Sequence, residues 1–174
     1  MAAKVAVAAP IVAVDVHESR LSLALRLGAT HALQGGSGGL GQPDLLKQLN
    51  AVSGKSGLQY AIDTTGVPEV MLSALRCTRF GGSVGFVSVA FLGELKIDMN
   101  ALMGKTVKSI FEGDVDPHEF IPRLLRLWVE GRFPFDQLIK TFPLSEINEA
   151  EKASASGSVV KPVLLPQMQP ESKL

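Results

Sequence analysis

Short strand-like runs alternate along this sequence with longer stretches whose apolar residues return every three to four places. Ile11-Val-Ala-Val14 is such a run, closed by Asp15. A strand with no polar side must be covered on both faces, the situation of a parallel sheet held between helix layers. Residues 58–62, 83–89 and 107–111 are further strand candidates, with a short one at 30–33 and another at 159–165. The intervening stretches read as helices. One opens at Glu18 or Ser19 and carries Leu21, Leu25 and Leu27 before Gly28, a suitable C-terminal cap; a second runs from Pro43 through Leu45, Leu46 and Leu49 and ends before Gly54. A third starts at Pro68, where the missing proline N–H is not needed, and carries Val70, Met71, Ala74 and Leu75. Gly81-Gly82 marks a turn ahead of the strand at 83–89. Beyond Asp116-Pro117, Phe120, Leu124, Leu127 and Trp128 outline a strongly amphipathic helix, and a last helix lies around 147–150. This alternation predicts an α/β fold with a doubly wound, mainly parallel sheet.

Composition narrows the partners. Seventeen Lys+Arg balance 17 Asp+Glu over 174 residues, so no long-range attraction to nucleic acid or to an anionic membrane surface is expected. An apolar content of 46% and a mean hydropathy of +0.23 suit a folded core and not a disordered chain. The single cysteine, Cys77, can form no internal disulfide and no Cys-rich zinc site, which points to a reducing compartment, the cytoplasm. The opening Met1-Ala-Ala-Lys4 and the apolar residues after it have the look of a secretory leader. Pro10 interrupts that run, Asp15 ends it, and no small-residue cleavage site follows. It also falls well short of the roughly 20 residues that span a bilayer.

Gly36-Ser-Gly38-Gly-Leu-Gly41 satisfies the G-x-G-x-x-G pattern, and amides in such a loop can cradle a pyrophosphate. Its surroundings argue otherwise. The strand ahead of it ends in Ala32-Leu33-Gln34, and Gln42-Pro43 separates the last glycine from the helix. The segment reads as a flexible surface connection.

Several other segments form a more specific set. Ile11-Val-Ala-Val-Asp15-Val-His-Glu-Ser-Arg20-Leu, Leu27-Gly-Ala-Thr-His31 and Tyr60-Ala-Ile-Asp63-Thr-Thr-Gly66-Val-Pro68 resemble the cofactor half of the medium-chain, zinc-dependent alcohol dehydrogenases, most closely the aryl-alcohol (benzyl alcohol) type. The likeness continues in order through Gly81-Gly-Ser-Val, Phe111-Glu-Gly-Asp114, Phe120-Ile-Pro-Arg-Leu124, Gly131-Arg-Phe-Pro-Phe-Asp136, Phe142-Pro-Leu-Ser-Glu-Ile-Asn-Glu-Ala150 and Ser156-Gly-Ser-Val-Val-Lys-Pro-Val163. It implies an oxidoreductase that transfers hydride from a primary or aryl alcohol to NAD. Residues 1–110 are then a partial NAD-binding Rossmann domain, 111–165 a segment that returns to the catalytic domain, and 166–174 a polar tail.

The resemblance also assigns residues. Asp15 ends the strand whose carboxylate receives the adenosine ribose hydroxyls. Such a group disfavours a 2′-phosphate, since two unit charges about 4 Å apart cost about 4 kcal/mol at an effective dielectric of 20. NAD is expected over NADP. Arg20 corresponds to a basic residue near that ribose and softens the discrimination. Thr64 and Thr65 fall beside the adenine, and Val87, Ser88 and Val89 approach the nicotinamide through backbone groups. Ile110 and Phe111 match a nicotinamide-contacting segment, and Lys161 a basic residue near the pyrophosphate. Each has a plainer reading: Asp15 as a charge at a helix N-terminus, Val87, Val89, Ile110 and Phe111 as core strand residues, Lys161 as a surface lysine.

The same comparison implies gaps. Met1-Ala-Ala-Lys-Val-Ala matches the end of the helix that follows the family's glycine-rich turn, so the first strand and that turn are expected to be missing. In the 3-2-1-4-5-6 strand order the first strand is central, and without it the strands ending at Asp15 and Asp63 lose their shared neighbour. The Cys and His-Glu ligands of the family's catalytic zinc belong to the other half. His17, His31 and His118 are scattered, without ligand spacing. Cys77, next to Arg76 and near Arg79, reads as a small buried hydrophobe before a reactive thiolate. Asp114, Asp116, Glu146 and Glu149 look like cap or solvated-face carboxylates. No catalytic residue is assigned, and the chain alone is expected to be inactive. The competing reading is a non-catalytic Rossmann remnant that binds a partner chain or itself through an apolar patch around Leu124, Trp128 and Phe133.

Overall fold

A computed structural model describes residues 1–35, 43–54, 56–88 and 95–166. A one-turn helix α1 (Ala2–Val5) leads to β1 (Val12–Asp15), α2 (Glu18–Arg26), β2 (His31–Gln34), α3 (Pro43–Ser53), β3 (Leu58–Asp63), α4 (Pro68–Cys77), β4 (Thr78–Phe86), α5 (Met99–Leu102) and β5 (Thr106–Ser109). The remainder forms α6 (Pro117–Val129), β6 (Ile139–Pro143), α7 (Ile147–Ala155) and β7 (Lys161–Leu165). Every strand pairing is parallel. This is the α/β architecture that the alternating periods predict.

The sheet is divided. β1 pairs only with β2, β3 and β5 flank β4, and β6 pairs with β7, giving pieces of two, three and two strands. Side by side, the first two pieces read β2-β1, a break, then β3-β4-β5. This is the doubly wound order with its central strand left out, as the resemblance implies. One helix spans the break. Leu45 and Leu49 of α3 form a buried cluster with Cys77 of α4, packed by Val12 and Val14 from β1, Leu33 from β2, and Leu58 and Ala61 from β3. Burial of these side chains, at about 1.5–3 kcal/mol each, holds the two halves together without a shared hydrogen-bond ladder.

Boundaries shifted where glycine intervened. β4 begins at Thr78, not 83, and ends at Phe86. The Gly81-Gly82 turn read from the sequence is a bulge inside that strand: Leu58 pairs with Thr78 but Tyr60 with Ser83. Gly81 takes φ +74°, and a Cβ on Gly82 would sit 2.8 Å from the Gln59 carbonyl oxygen and 2.9 Å from that of Arg79. Only a residue without a side chain lets the strand kink that tightly.

The C-terminal unit is a small βαβ of its own. Phe142, Ala150 and Val159 form its core, with Ala153 and Leu164 against them. β6 was not foreseen, because Ile139-Lys-Thr-Phe-Pro143 is short, mixed in polarity and closed by a proline. Helix α6 starts as expected, with Pro117 at its first position and Asp116 accepting the His118 N–H at 2.8 Å. None of its residues is buried. Among the described residues no helix is long and apolar enough to cross a membrane.

Candidate functional site: the carboxyl edge of the parallel sheet

Asp15, Asp63, Phe86 and Ser109 close four parallel strands. Their carboxyl ends share one edge, where an open α/β sheet leaves a crevice at the point of strand-order reversal, here between β1 and β3. Thr64-Thr65, Val87-Ser88 and Ile110-Phe111 follow directly on β3, β4 and β5. Most of the residues singled out from the sequence therefore converge on this edge.

Asp15 is held by its own loop. Its Oδ1 accepts the His17 backbone N–H at 2.9 Å, which sets the carboxylate at the turn into α2. The plainer helix-end role is thus met by one oxygen. The other, Oδ2, lies 3.9 Å from Arg20 Nη1, with the two side chains 31% and 36% exposed. A pair this open contributes about 0–1 kcal/mol to stability. Arg20 Nε is a different matter, since it is buried and has no partner. Leaving such a donor unmet costs about 1–3 kcal/mol. A vicinal diol fits this pair, because the carboxylate accepts its protons while the guanidinium donates to its oxygen.

Asp63 is the residue that sequence reasoning left without a role. Only 2% exposed, it accepts the Thr65 N–H at 3.2 Å and the Thr65 hydroxyl at 2.7 Å on Oδ1, and the Gly66 N–H at 3.0 Å on Oδ2. Thr65 Oγ1 in turn accepts the Val67 N–H at 3.1 Å, at the N-cap of α4. The signal was present: an Asp with Thr two residues on and Gly three on is a recognisable side-chain-to-backbone turn. This carboxylate shapes the loop and so positions Thr64 and Thr65, both exposed. The Asp63 carbonyl also accepts the Val87 N–H at 2.9 Å, tying the ends of β3 and β4.

Ile110 donates its N–H to the Phe86 carbonyl at 2.8 Å and lays its side chain over Gly85. Phe111 is 65% exposed. Beyond it Asp114 pairs with Lys108 at 2.6 Å, and that hydrogen bond holds the carboxyl below the usual Asp range. Lys161 stands apart, opening β7 in the separate two-stranded sheet. The turn ahead of it reaches the site, since a Cβ on Gly157 would lie 3.1 Å from His17 Nε2. Val89 and the glycine loop at 36–41 lie outside the described residues.

Cys77 is buried, and burial pushes its thiol up from the ordinary value. Among the described residues no three His, Cys, Asp or Glu side chains converge as a metal set. A cleft of about 500 Å³ runs along α6, lined by Asp114, Asp116, Glu119 and Arg123 among others, and none of the candidate residues faces it.

Residues 1–130 match the zinc-binding dehydrogenase family. Geraniol dehydrogenase of Castellaniella defragrans is 40% identical over 158 residues, which are 89% of this chain and 41% of that protein. The rabbit (Oryctolagus cuniculus) alcohol dehydrogenase class-2 isozyme 2 is 31% identical over 168 residues, 93% and 42% of the two chains. Among solved structures, benzyl alcohol dehydrogenase from Acinetobacter calcoaceticus superposes with a TM-score of 0.86 at 37% identity, over 94% of this chain and 44% of its own. An alcohol dehydrogenase zinc-binding domain protein from Burkholderia ambifaria gives 0.86 at 40% identity, over 95% and 44%. The chain spans about two-fifths of the curated relatives it matches. With its parallel sheet, its acidic strand end and these relatives, the chain belongs to the zinc-binding dehydrogenase family and corresponds to the cofactor-domain portion of an alcohol dehydrogenase of that family.

Proposed function

We propose that this chain is the NAD-holding portion of a dehydrogenase that oxidises a primary or aryl alcohol to the aldehyde. The observation that carries this is the Asp15–Arg20 pair: a carboxylate fixed through one oxygen at a strand end, its other oxygen 3.9 Å from Nη1 of a guanidinium whose Nε is buried without a partner among the described residues. That arrangement fits an unphosphorylated adenosine ribose. The geraniol and benzyl alcohol dehydrogenases among the relatives indicate the alcohol class. When bound, NAD supplies the carbon that accepts hydride. The chain's own residues bind and orient it: Asp15 and Arg20 hold the ribose, Thr64 and Thr65 flank the adenine, and Val87, Ser88, Ile110 and Phe111 line the nicotinamide end. Lys161 offers a positive charge toward the pyrophosphate. The zinc that activates the alcohol in this family is held by ligands outside this chain, so the 174 residues alone do not turn over. Residues 1–110 are the partial coenzyme domain, and 111–165 return to the catalytic remainder.

Calorimetric titration tests the coenzyme assignment. NAD binds the chain more tightly than NADP, and Asp15→Asn narrows the difference; an unchanged preference in the variant refutes the role of Asp15. Turnover of benzyl alcohol by the purified chain, with its zinc content measured, refutes the claim that the catalytic half is missing.

A second reading, that of a non-catalytic interaction module, is favoured by α6. Ile121, Leu125, Trp128 and Val129 are all exposed on it. Self-association is the expected behaviour, and a monomer by light scattering counts against it.

A further inference from the structure

Just beyond β5 the backbone is left-handed at successive residues. Glu112, Gly113 and Asp114 take φ of +47°, +78° and +52°. Glycine adopts this region freely and Asp more readily than most residues, but at Glu112 the Cβ meets the following carbonyl oxygen. L-residues visit it singly, not in runs. A strained run persists where its surroundings over-determine it, and such places cluster at ligand sites.

Three contacts on Asp114 hold this run. Its N–H donates to the Phe111 carbonyl at 2.9 Å, its Oδ1 accepts the Phe111 N–H at 3.4 Å, and its Oδ2 pairs with Lys108 Nζ at 2.6 Å. Lys108 lies within β5, opposite Gly85 of β4, and Ile110 two residues on shares its face of the sheet. A Cβ on Gly85 would sit 2.6 Å from Ile110 Cδ1, so the bare glycine is what lets Ile110 lie down there. The chain thus leaves β5, turns through 112–114 and brings a carboxylate back to the strand it has just left. Phe111 itself is extended, at φ −105° and ψ +121°, so the reversal falls on the residues after it. Burial does not supply the anchor: among the described strands β5 pairs only with β4, and all four of its residues are exposed. Both backbone polar groups of Phe111 are engaged by Asp114, while its ring stands exposed at the carboxyl edge. The Lys108 hydrogen bond holds the Asp114 carboxyl below the usual range, so the charged form that makes these contacts is the one present at neutral pH.

We propose that Asp114 is a positioning residue of the coenzyme site: tied to Lys108, it locks the turn at 111–114 and so presents Phe111 to the nicotinamide ring in one orientation. This rests on the NAD reading, to which it adds the group that orders the nicotinamide end. The test compares the 174-residue chain with Asp114→Ala, Asp114→Asn and Lys108→Met. Without coenzyme, nuclear Overhauser spectra report the turn, because a residue of positive φ gives a strong cross-peak between its own amide and α protons. The parent is expected to show this peak at residues 112 and 114, and Asp114→Ala to lose it. Calorimetry then compares NAD with ADP-ribose, which lacks the nicotinamide. NAD affinity falls with the fraction of chains that keep the turn, about tenfold where one chain in ten keeps it. ADP-ribose binds parent and variants alike, which also shows that the variants fold. Asp114→Asn retains an acceptor for the Phe111 N–H and a residue that tolerates the left-handed backbone, so its NAD affinity falls between those of the parent and Asp114→Ala. Lys108→Met, which removes the anchor from outside the turn, weakens NAD in the same direction. The proposal is overturned if the parent lacks the two cross-peaks or Asp114→Ala keeps them. It is overturned equally if the peaks vanish while NAD affinity stays within about twofold of the parent, or if ADP-ribose affinity falls as far as that for NAD. A parent chain that binds neither ligand overturns the coenzyme reading and this role with it, and the cross-peaks then report separately whether Asp114 holds the turn.

Discussion

Asp63→Asn replaces a buried carboxylate by a group of the same shape, and the three hydrogen bonds around it set the cost. If the amide oxygen takes the place of Oδ1, both bonds from Thr65 survive, but the amide nitrogen then faces the Gly66 N–H at 3.0 Å, donor against donor. Gly66 is buried, so its N–H loses its only acceptor in the loop, a loss of about 1–3 kcal/mol. The surviving bonds weaken as well. Bonds to a charged acceptor are worth about 1.5–3 kcal/mol and neutral ones about 0.5–1.5, so the variant loses about 3 kcal/mol in total. In urea, with a slope of about 2 kcal/mol/M, the unfolding midpoint falls by about 1.5 M. Far-ultraviolet circular dichroism follows the transition. Thr65→Val, which removes the hydroxyl that bridges Asp63 to the Val67 N–H, is expected to cost about 1–2 kcal/mol and to couple to Asp63→Asn by at least about 0.5 kcal/mol in a double-mutant cycle. A midpoint within about 0.2 M of the parent, or strict additivity of the two changes, means that Asp63 does not organise this loop.

The bulge in β4 separates two glycine effects. Gly81→Ala meets nothing within 4 Å and bears only the left-handed backbone, about 1–2 kcal/mol, whereas Gly82→Ala drives a Cβ into two carbonyl oxygens and is expected to cost clearly more; equal urea midpoints for the two variants contradict the bulge geometry. Burial keeps the Cys77 thiol protonated, so iodoacetamide modifies it at pH 8 more slowly than a free thiol, and urea abolishes the difference. Because its folded pKa is raised, the stability it contributes is present below the unfolded thiol value and is lost as pH rises toward the folded one. Rapid labelling of the folded chain at pH 8 is the contrary result. The lowered carboxyl of Asp114 has the opposite sign: its contribution holds above the unfolded carboxylate pKa and disappears as pH falls through the folded value. Lys108→Met is expected to move the Asp114 titration, followed by carbon NMR, back toward the ordinary range.

Local pattern was enough to read most elements and half of the site. The uniformly apolar run at 11–14 became β1, the strand-like stretches at 58–62 and 107–111 became β3 and β5, and the helical periods became α2, α3, α4 and α6, because burial on a face imposes its period on neighbouring residues. Asp15 was legible because it ends a strand and precedes a helix cap, a purely sequential relation. Contacts between distant segments were not legible. The Gly81-Gly82 bulge depends on how β4 meets Gln59, the abutment of Gly157 on His17 on how the C-terminal unit docks, and the unpartnered Arg20 Nε on what surrounds it. The divided sheet is the largest such decision. Sequence order implied that β1 and β3 lack a shared neighbour, but only the tertiary structure shows Leu45 and Leu49 of α3 packed against side chains of both, so that side-chain burial joins two pieces of sheet that no strand pairing connects.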